Sequence, residues 1–240
     1  MKKSGFELYG AMAEAITHST SVAGRYRCQE VDERNIISDI MRKLSISSND
    51  QLLEIGCNLG KLLTPLSYMV EKSIGIDHPL LISRYQTEIK KDNIKLVPGN
   101  FLEIENEKLG HFNKILIYSV IHALPDNKSL DAFIDKALQL LSAGGLMLIG
   151  DIPNEDKKNR FLASRTGKIF NKEWEERRAL FPETESVELD YKCSISFNDE
   201  LLCSLMLNIR KKGYNAHILA QPENLPFGRT REDLLIVKPD

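Results

Sequence analysis

The sequence predicts an α/β fold, a doubly wound and mostly parallel sheet of seven strands with helices on both faces. Three observations predict it. Short apolar runs alternate with helical patterns over residues 51–149, as expected of strands buried on both faces and joined by crossover helices. The first run, Leu52-Leu53-Glu54-Ile55, ends in a glycine turn, Gly56-Cys57-Asn58-Leu59-Gly60, that opens onto a helix. A further helix and two strands over 198–237 complete the sheet.

Each element has its own local reason. Residues 26–44 place Ile36, Ile37, Ile40, Met41 and Leu44 at helical spacing, and Ser48-Asn49-Asp50 breaks the chain before a strand at 51–55. A helix is expected from Gly60, then a strand at 73–76 that closes on Asp77. His78-Pro79 opens the next helix, because proline is tolerated in a first helical turn. A third strand at 94–97 stops at Pro98-Gly99, and a fourth at 114–118 is apolar enough to be buried on both faces. Helix 128–141 shows Leu130, Phe133, Ile134, Ala137, Leu138 and Leu141 on one face. The turn Ala143-Gly144-Gly145 leads into a strand at 146–149 that finishes at Asp151. Helix 198–212 starts from an Asn198/Asp199 cap and stops at Gly213, and strands at 216–220 and 233–237 follow.

Composition excludes several classes. The 240 residues suit one α/β domain over 1–240, and 42% hydrophobic residues can fill its core. A net charge of −2 gives no electrostatic footprint for nucleic acid. No apolar run reaches the roughly 18–20 residues of a membrane span, and the basic start Met1-Lys2-Lys3 lacks the apolar core of a signal peptide. Cys28, Cys57, Cys193 and Cys203 are scattered, without C-x-x-C or histidines at ligand spacing. They read as reduced thiols of a cytoplasmic protein, with no metal site.

The glycine turn and Asp77 carry the chemistry. An acidic residue about 20 positions beyond such a turn is where a doubly wound sheet holds a ribose hydroxyl, so the pair implies a nucleoside cofactor. A dinucleotide site wants G-x-G-x-x-G, and Asn58 and Lys61 stand where that pattern needs glycine. What remains, E-x-G-x-x-x-G, looks like the first motif of the class I S-adenosylmethionine-dependent methyltransferases, with Asn58 at the usual middle glycine. Asparagine is the next residue most tolerant of left-handed backbone. Gly99-Asn100-Phe101 resembles the family's G-D-F segment, Tyr118-Ser119-Val120-Ile121-His122-Ala123-Leu124-Pro125 its fourth-strand exit, and Leu141-Ser142-Ala143-Gly144-Gly145 its L-x-P-G-G turn.

The resemblance implies a Rossmann-like sheet with an antiparallel last strand and S-adenosyl-L-methionine as cofactor. It also implies transfer of a methyl group to O or N of a small polar acceptor. It assigns Glu54 to the methionine amino group, Asp77 to the ribose and Asn100 to the adenine, with Phe101 either on the base or in the core. Gly56, Cys57, Asn58 and Gly60 form the cofactor loop, Ser119 sits at the strand exit, and His78 lies over the adenosine; Cys57 carries a spectator thiol. His122 is the candidate base, either accepting a proton or lining the pocket.

A helical cap at 1–47 and an insertion at 152–197 are the segments placed to choose the acceptor. Tyr9, Tyr26, Arg27, Asp151 and Arg229 are its candidate contacts, with Arg25, Arg160, Arg165, Lys168 and Arg231 as further cations. Convergence of several would favour an anionic acceptor. The fourth-strand exit lacks the N-P-P-Y and Pro-Cys signatures of nucleobase-modifying enzymes, and no aminopropyl-transferase acidic pair is present. Gly150-Asp151-Ile152-Pro153-Asn154, with 221–226 and 231–236, resembles methyltransferases encoded among surface-polysaccharide genes, which points to a phosphorylated or sugar-like acceptor. No nucleic-acid or membrane partner is expected, and monomer and homodimer both remain open. Two rivals stand: a catalytically silent cofactor-binding subunit, and an NAD-dependent dehydrogenase.

Overall fold

Strands that are apolar on both sides need cover on both faces, and the chain supplies it from both ends. The computed structural model describes residues 4–88, 91–182 and 194–240. Helices α1 (Gly5–Ala15), α2 (Ser19–Val22) and α3 (Glu30–Leu44) come first. There follow β1 (Gln51–Ile55), α4 (Leu63–Ser67), β2 (Lys72–Asp77), α5 (Pro79–Glu88), β3 (Ile94–Pro98), β4 (Phe112–Tyr118) and α6 (Asn127–Leu140). The chain continues through β5 (Leu141–Pro153), α7 (Glu155–Ala163), α8 (Arg165–Leu180), α9 (Asp199–Lys211), β6 (Asn215–Ala220) and β7 (Arg231–Val237).

These strands form one sheet in the order β3-β2-β1-β4-β5-β7-β6. β7 runs antiparallel to both of its neighbours, while the pairs from β3 across to β5 are parallel. The order reverses between β1 and β4, so a crevice opens beyond the carboxyl ends of those strands, where such sheets bind ligands.

Period-two alternation sorts the side chains between the two faces. Leu53, Ile55, Ile115, Ile117, Met147 and Ile149 pack with Leu130, Phe133 and Ile134 of α6 and Leu202 and Leu205 of α9. On the other face Leu52, Leu116 and Leu148 meet Ile36, Ile40 and Leu44 of α3 and Leu63, Ile82 and Tyr85 of α4 and α5. A small third cluster, Ala13, Ile16, Val22, Leu59 and Leu81, seats the amino-terminal cap on the glycine turn.

The predicted strands and helices are present, and the differences have local causes. The helix after the glycine turn begins at Leu63 and spans five residues, because Gly60 is still in left-handed backbone at φ +75°. The Ala143-Gly144-Gly145 turn is absorbed into β5: Leu141 pairs with Phe112 before the register shifts to Lys114 opposite Leu146. Helix α3 starts at Glu30 after a single turn of 3₁₀ helix at Arg27–Gln29. The insertion contributes α7 and α8, capped by Asn154 and Ser164, which accept from Lys157 N and Gly167 N at 3.1 and 3.0 Å. Its stretch 183–193, with Cys193, lies outside the described residues. Cys28 and Cys57 are buried free thiols and Cys203 is exposed. Among the described residues no helix is long and apolar enough to cross a membrane, and no group of three or more His, Cys, Asp or Glu side chains is arranged to hold a metal.

One buried ion cluster ties the cap to the sheet. Lys43 of α3 meets Asp39 at 2.5 Å and the fully buried Asp233 of β7 at 2.6 Å. Asp233 also accepts from Asp151 N at 2.8 Å and Gln221 Nε2 at 2.7 Å. Removing the cation leaves the buried Asp233 without its ion-pair partner and Asp39 with only the exposed Arg42 at 3.5 Å. Lys43→Met is expected to lower unfolding free energy by about 3 kcal/mol in urea titration, whereas the exposed Arg42→Met leaves it within about 0.5 kcal/mol.

Candidate functional site

The glycine turn after β1 alternates in and out of left-handed backbone. Gly56, Asn58 and Gly60 have φ of +82°, +48° and +75°. Gly56 N and Cys57 N both donate to Ile76 O of β2, at 2.8 and 3.1 Å. A Cβ on Gly56 would lie 2.3 Å from Val120 Cγ2, and one on Gly60 2.1 Å from the Tyr85 ring. Asn58 adopts the geometry of the missing glycine and adds two bonds of its own. Its Oδ1 accepts from Leu59 N at 2.7 Å, and its Nδ2 donates to Val22 O at 3.2 Å, fastening the cap.

Two carboxylates face the resulting cavity from the ends of β1 and β2. Asp77 accepts from Asn58 N and His78 N, each at 2.6 Å. Burial pushes its pKa up to about 6, partly offset by those two N–H groups. Glu54 is 2% exposed, and its Oε2 has no hydrogen-bond partner among the described residues. Burial, then the nearby Asp77 charge, raises the Glu54 carboxyl well above the usual carboxylate range. A buried acceptor without a donor is costly unless something fills it. Glu54, Gly56, Asp77, Asn100, Phe101 and Ser119 all line this inner cavity of about 140 Å³.

The sequence-selected residues divide by what their side chains do. Asn100 borders the cavity, yet its Oδ1 accepts from Leu102 N at 3.1 Å and its Nδ2 donates to Glu103, so it caps the next turn. Phe101 lines the cavity while packing edge-to-face on Phe133, with centroids 4.9 Å apart. Phe101 is thus a core residue that also forms part of the cavity wall. Cys57 borders the cavity, but its thiol is buried beside β2, where a Cβ on Gly75 would meet Sγ at 2.8 Å. Burial raises its pKa well above the thiol range, which fits a spectator. His78 is not brought to the cavity: its ring lies 4.7 Å from Phe6 and against Gly10 of α1, and burial lowers its pKa.

A second centre lies at the ends of β4 and β5. Ser119, directly after β4, and Asp151 of β5 have φ of +61° and +60°, two non-glycine residues in left-handed backbone. Their side chains meet, Ser119 Oγ donating to Asp151 Oδ2. Arg25, buried between α2 and α3, donates to Ser119 Oγ at 2.8 Å and lies 3.5 Å from Asp151 Oδ2 and 3.6 Å from Glu33 Oε1. Lys61 donates to Glu33 at 2.5 Å and to Thr20 at 2.8 Å. Arg231 completes the group, with Nη1 on Asp151 O at 2.8 Å and Nε 3.6 Å from Asp151 Oδ1. Tyr9 of α1 closes the inner cavity from above; burial raises its phenol pKa, and Arg25 opposes the rise.

His122 lies behind this centre and lines neither of the two cavities described here. Burial, then the Arg231 charge, holds its pKa down at about 4. It is therefore neutral at pH 7, with its proton affinity lowered. Arg27 also lines neither cavity. Tyr26 and Arg229 face a larger outer groove of about 650 Å³ between α7, α8 and the segment before β7. Lys61 and Glu33 escaped sequence reasoning, although a lysine directly after the glycine turn was the available signal. Arg25 and Arg231 stood there only among many cap and tail cations.

Comparison with known proteins bears on the fold. No family model matches the chain. A stretch of 132 residues is 30% identical to chondramide synthase cmdD of Chondromyces crocatus, covering 53% of this chain and 3% of that protein. The chain thus corresponds to a small fraction of that synthase. Among solved structures, N-methyltransferase NodS from Bradyrhizobium japonicum with S-adenosyl-L-homocysteine superposes with a TM-score of 0.64 at 14% identity, over 99% of this chain and 100% of that one. Haemonchus contortus phosphoethanolamine N-methyltransferase 1, with phosphoethanolamine and S-adenosylhomocysteine, gives 0.69 at 13%, over 98% and 48%. Magnesium protoporphyrin IX methyltransferase (ChlM) from Synechocystis, with the same product bound, gives 0.60 at 11%, over 98% and 94%. Over nearly its whole length, this chain has the fold of S-adenosylmethionine-dependent methyltransferases.

Proposed function

We propose that the chain is an S-adenosylmethionine-dependent methyltransferase that methylates O or N of a small polar acceptor. The observation that carries the reading is the cradle at the ends of β1 and β2. Glu54 Oε2 is a buried acceptor without a donor, Asp77 faces the same cavity, and the Gly56–Gly60 backbone leaves room beside both. This donor set fits the cofactor: carboxylates can accept from its ammonium and ribose hydroxyls, and Phe101 offers a ring to its base. When bound, S-adenosylmethionine supplies a methyl group already activated on a sulfonium. The chain's task is then alignment and exclusion of water. Tyr9 and Arg25 cover the cavity, and the Arg25–Ser119–Asp151 chain fixes the polar wall next to it.

Arg25 and Arg231 converge on one carboxylate, Asp151. Within the five charged groups of this network, two guanidiniums and the Lys61 ammonium stand against Asp151 and Glu33. This local positive excess supports an anionic acceptor, phosphorylated or sugar-like ones among them. The phosphoethanolamine-bound structural neighbour is an example of a small charged acceptor on this fold. A cytoplasmic setting is part of the same reading.

Calorimetric titration with S-adenosylmethionine and S-adenosylhomocysteine tests it. Micromolar binding, abolished in Asp77→Ala, is the expected result; a folded wild type that binds NAD and neither of these ligands refutes it. Methyl turnover with candidate acceptors separates an enzyme from a silent binder.

Two variants sharpen the carboxylate roles. Asp77 is protonated in the folded state between about pH 4 and 6, so its contribution to ligand-free stability is lost as pH rises through 6. Ribose hydroxyls donate to the ionised form. Affinity for S-adenosylhomocysteine is therefore expected to fall about tenfold from pH 7.5 to 5, and Asp77→Asn to flatten that profile. Glu54→Gln removes a buried, unpaired carboxylate. It is expected to raise the ligand-free melting temperature by about 2–4 °C while weakening cofactor binding, as read by differential scanning calorimetry and titration.

A further inference from the structure

The outer groove is lined by five aromatic rings, Tyr26, Phe161, Phe170, Trp174 and Phe227. They form a continuous chain. Phe161 packs on Phe170 at 5.5 Å, Phe170 runs nearly parallel to Trp174 at 6.3 Å and 12°, and Tyr26 meets Trp174 and Phe227 edge-on at 5.6 and 6.4 Å. Four of these rings carry a guanidinium on a face: Arg229 over Phe170 at 4.6 Å, Arg177 over Trp174 at 5.7 Å, Arg178 over Tyr26 at 4.3 Å and Arg231 over Phe227 at 4.6 Å. Such rings keep their orientation without a ligand, and flat guanidiniums and aromatic rings both present stacking surfaces.

The charges along the groove are not equally committed. Arg177 is paired with Asp32 and Arg229 with Glu223. At the inner end Arg231 shares its carboxylate, Asp151, with Arg25. Arg231 lines the outer groove and Arg25 the inner cavity, so the two spaces are separated by the Arg231–Asp151–Arg25 array, with Asp151 at its centre. An acceptor seated in the outer groove therefore has its inner end at Arg231, which the shared carboxylate Asp151 links to Arg25 of the inner cavity.

We propose that the outer groove is the acceptor site and that it takes a small anionic ring compound, whose ring packs against the Phe170–Trp174 pair and the guanidiniums that cover it and whose anionic group faces Arg231. This rests on the methyl-transfer reading above and narrows its acceptor class. Acyclic anions of equal charge satisfy Arg231 but leave the rings unused. The shared chemistry, a ring with an acid group, belongs both to aromatic hydroxy acids and to hexose phosphates.

Trp174 is the single tryptophan of the chain, so its emission reports this groove. The experiment titrates the full chain, saturated with S-adenosylhomocysteine, with para-hydroxybenzoate, a hexose phosphate and glycerol phosphate, reading Trp174 fluorescence. A saturable change with either ring anion, absent with glycerol phosphate, is expected, and the stronger ring ligand identifies the source. Phe170→Ala is expected to weaken it about tenfold without altering affinity for S-adenosylhomocysteine, which also reports that the variant is folded. Trp174→Leu, followed by calorimetry, gives a second variant with the same expectation. Glycerol phosphate binding as tightly as the ring anions, or no ring anion altering Trp174 emission, overturns the proposal. Parallel titration of S-adenosylhomocysteine alone keeps the two readings apart: its failure refutes the cofactor assignment and leaves the groove result standing.

Discussion

The site depends on two carboxylates kept out of water at the ends of neighbouring strands. Parallel pairing of β1 with β2 places Glu54 and Asp77 at one edge of the sheet, and the glycine turn passes between them. Burial alone would drive both toward the neutral acid. Asp77 is partly rescued by two backbone N–H groups, whereas Glu54 Oε2 has none. The contrast is informative. The fold satisfies Asp77 from its own backbone and leaves Glu54 Oε2 without a donor, which supports the proposal that a ligand supplies one.

Around that pair the other parts of the site follow from packing. Asn58 holds left-handed backbone where a glycine would be expected, and its side chain reaches Val22 to draw the cap down. The cap brings Arg25 to Ser119 and Asp151, both in unfavourable backbone at the ends of β4 and β5. Strain of this kind persists where surrounding contacts over-determine it. Here the contacts are Arg25, Arg231 and the hydrogen bond from Asp151 N to Asp233. The same Asp233 is anchored by Lys43 of α3, so the ion cluster that stabilises the fold also fixes Asp151.

Much of this was legible in the sequence, for definite reasons. Strands such as Ile115-Leu116-Ile117 announce themselves because burial on both faces demands an unbroken apolar run. The Gly56–Gly60 turn is legible because few residues other than glycine or asparagine accept its backbone. Asp77 is readable from its distance to that turn alone. What escaped depends on contacts between segments far apart in the chain. Nothing near Arg25 in the sequence marks it as the partner of Ser119, and nothing near His78 shows that its ring turns to Phe6 and Gly10. His122 illustrates the limit most clearly. Its place after the fourth strand suggested a base, whereas burial and the Arg231 charge, both set by contacts distant in sequence, lower its proton affinity and the fold leaves it off the inner cavity wall. Of the outer groove, the sequence reading named Tyr26, Arg229 and the insertion, but not the ring chain, because its five rings come from three separated stretches of chain.

The central claim is that Glu54 and Asp77 form the receptor for the polar groups of S-adenosylmethionine. A crystal structure of the chain grown with S-adenosylhomocysteine tests it most directly. The account predicts the product in the inner cavity, its ammonium beside Glu54, its ribose hydroxyls on Asp77 and its adenine toward Phe101. Product bound elsewhere, or in that cavity with neither carboxylate within hydrogen-bond distance, would contradict it.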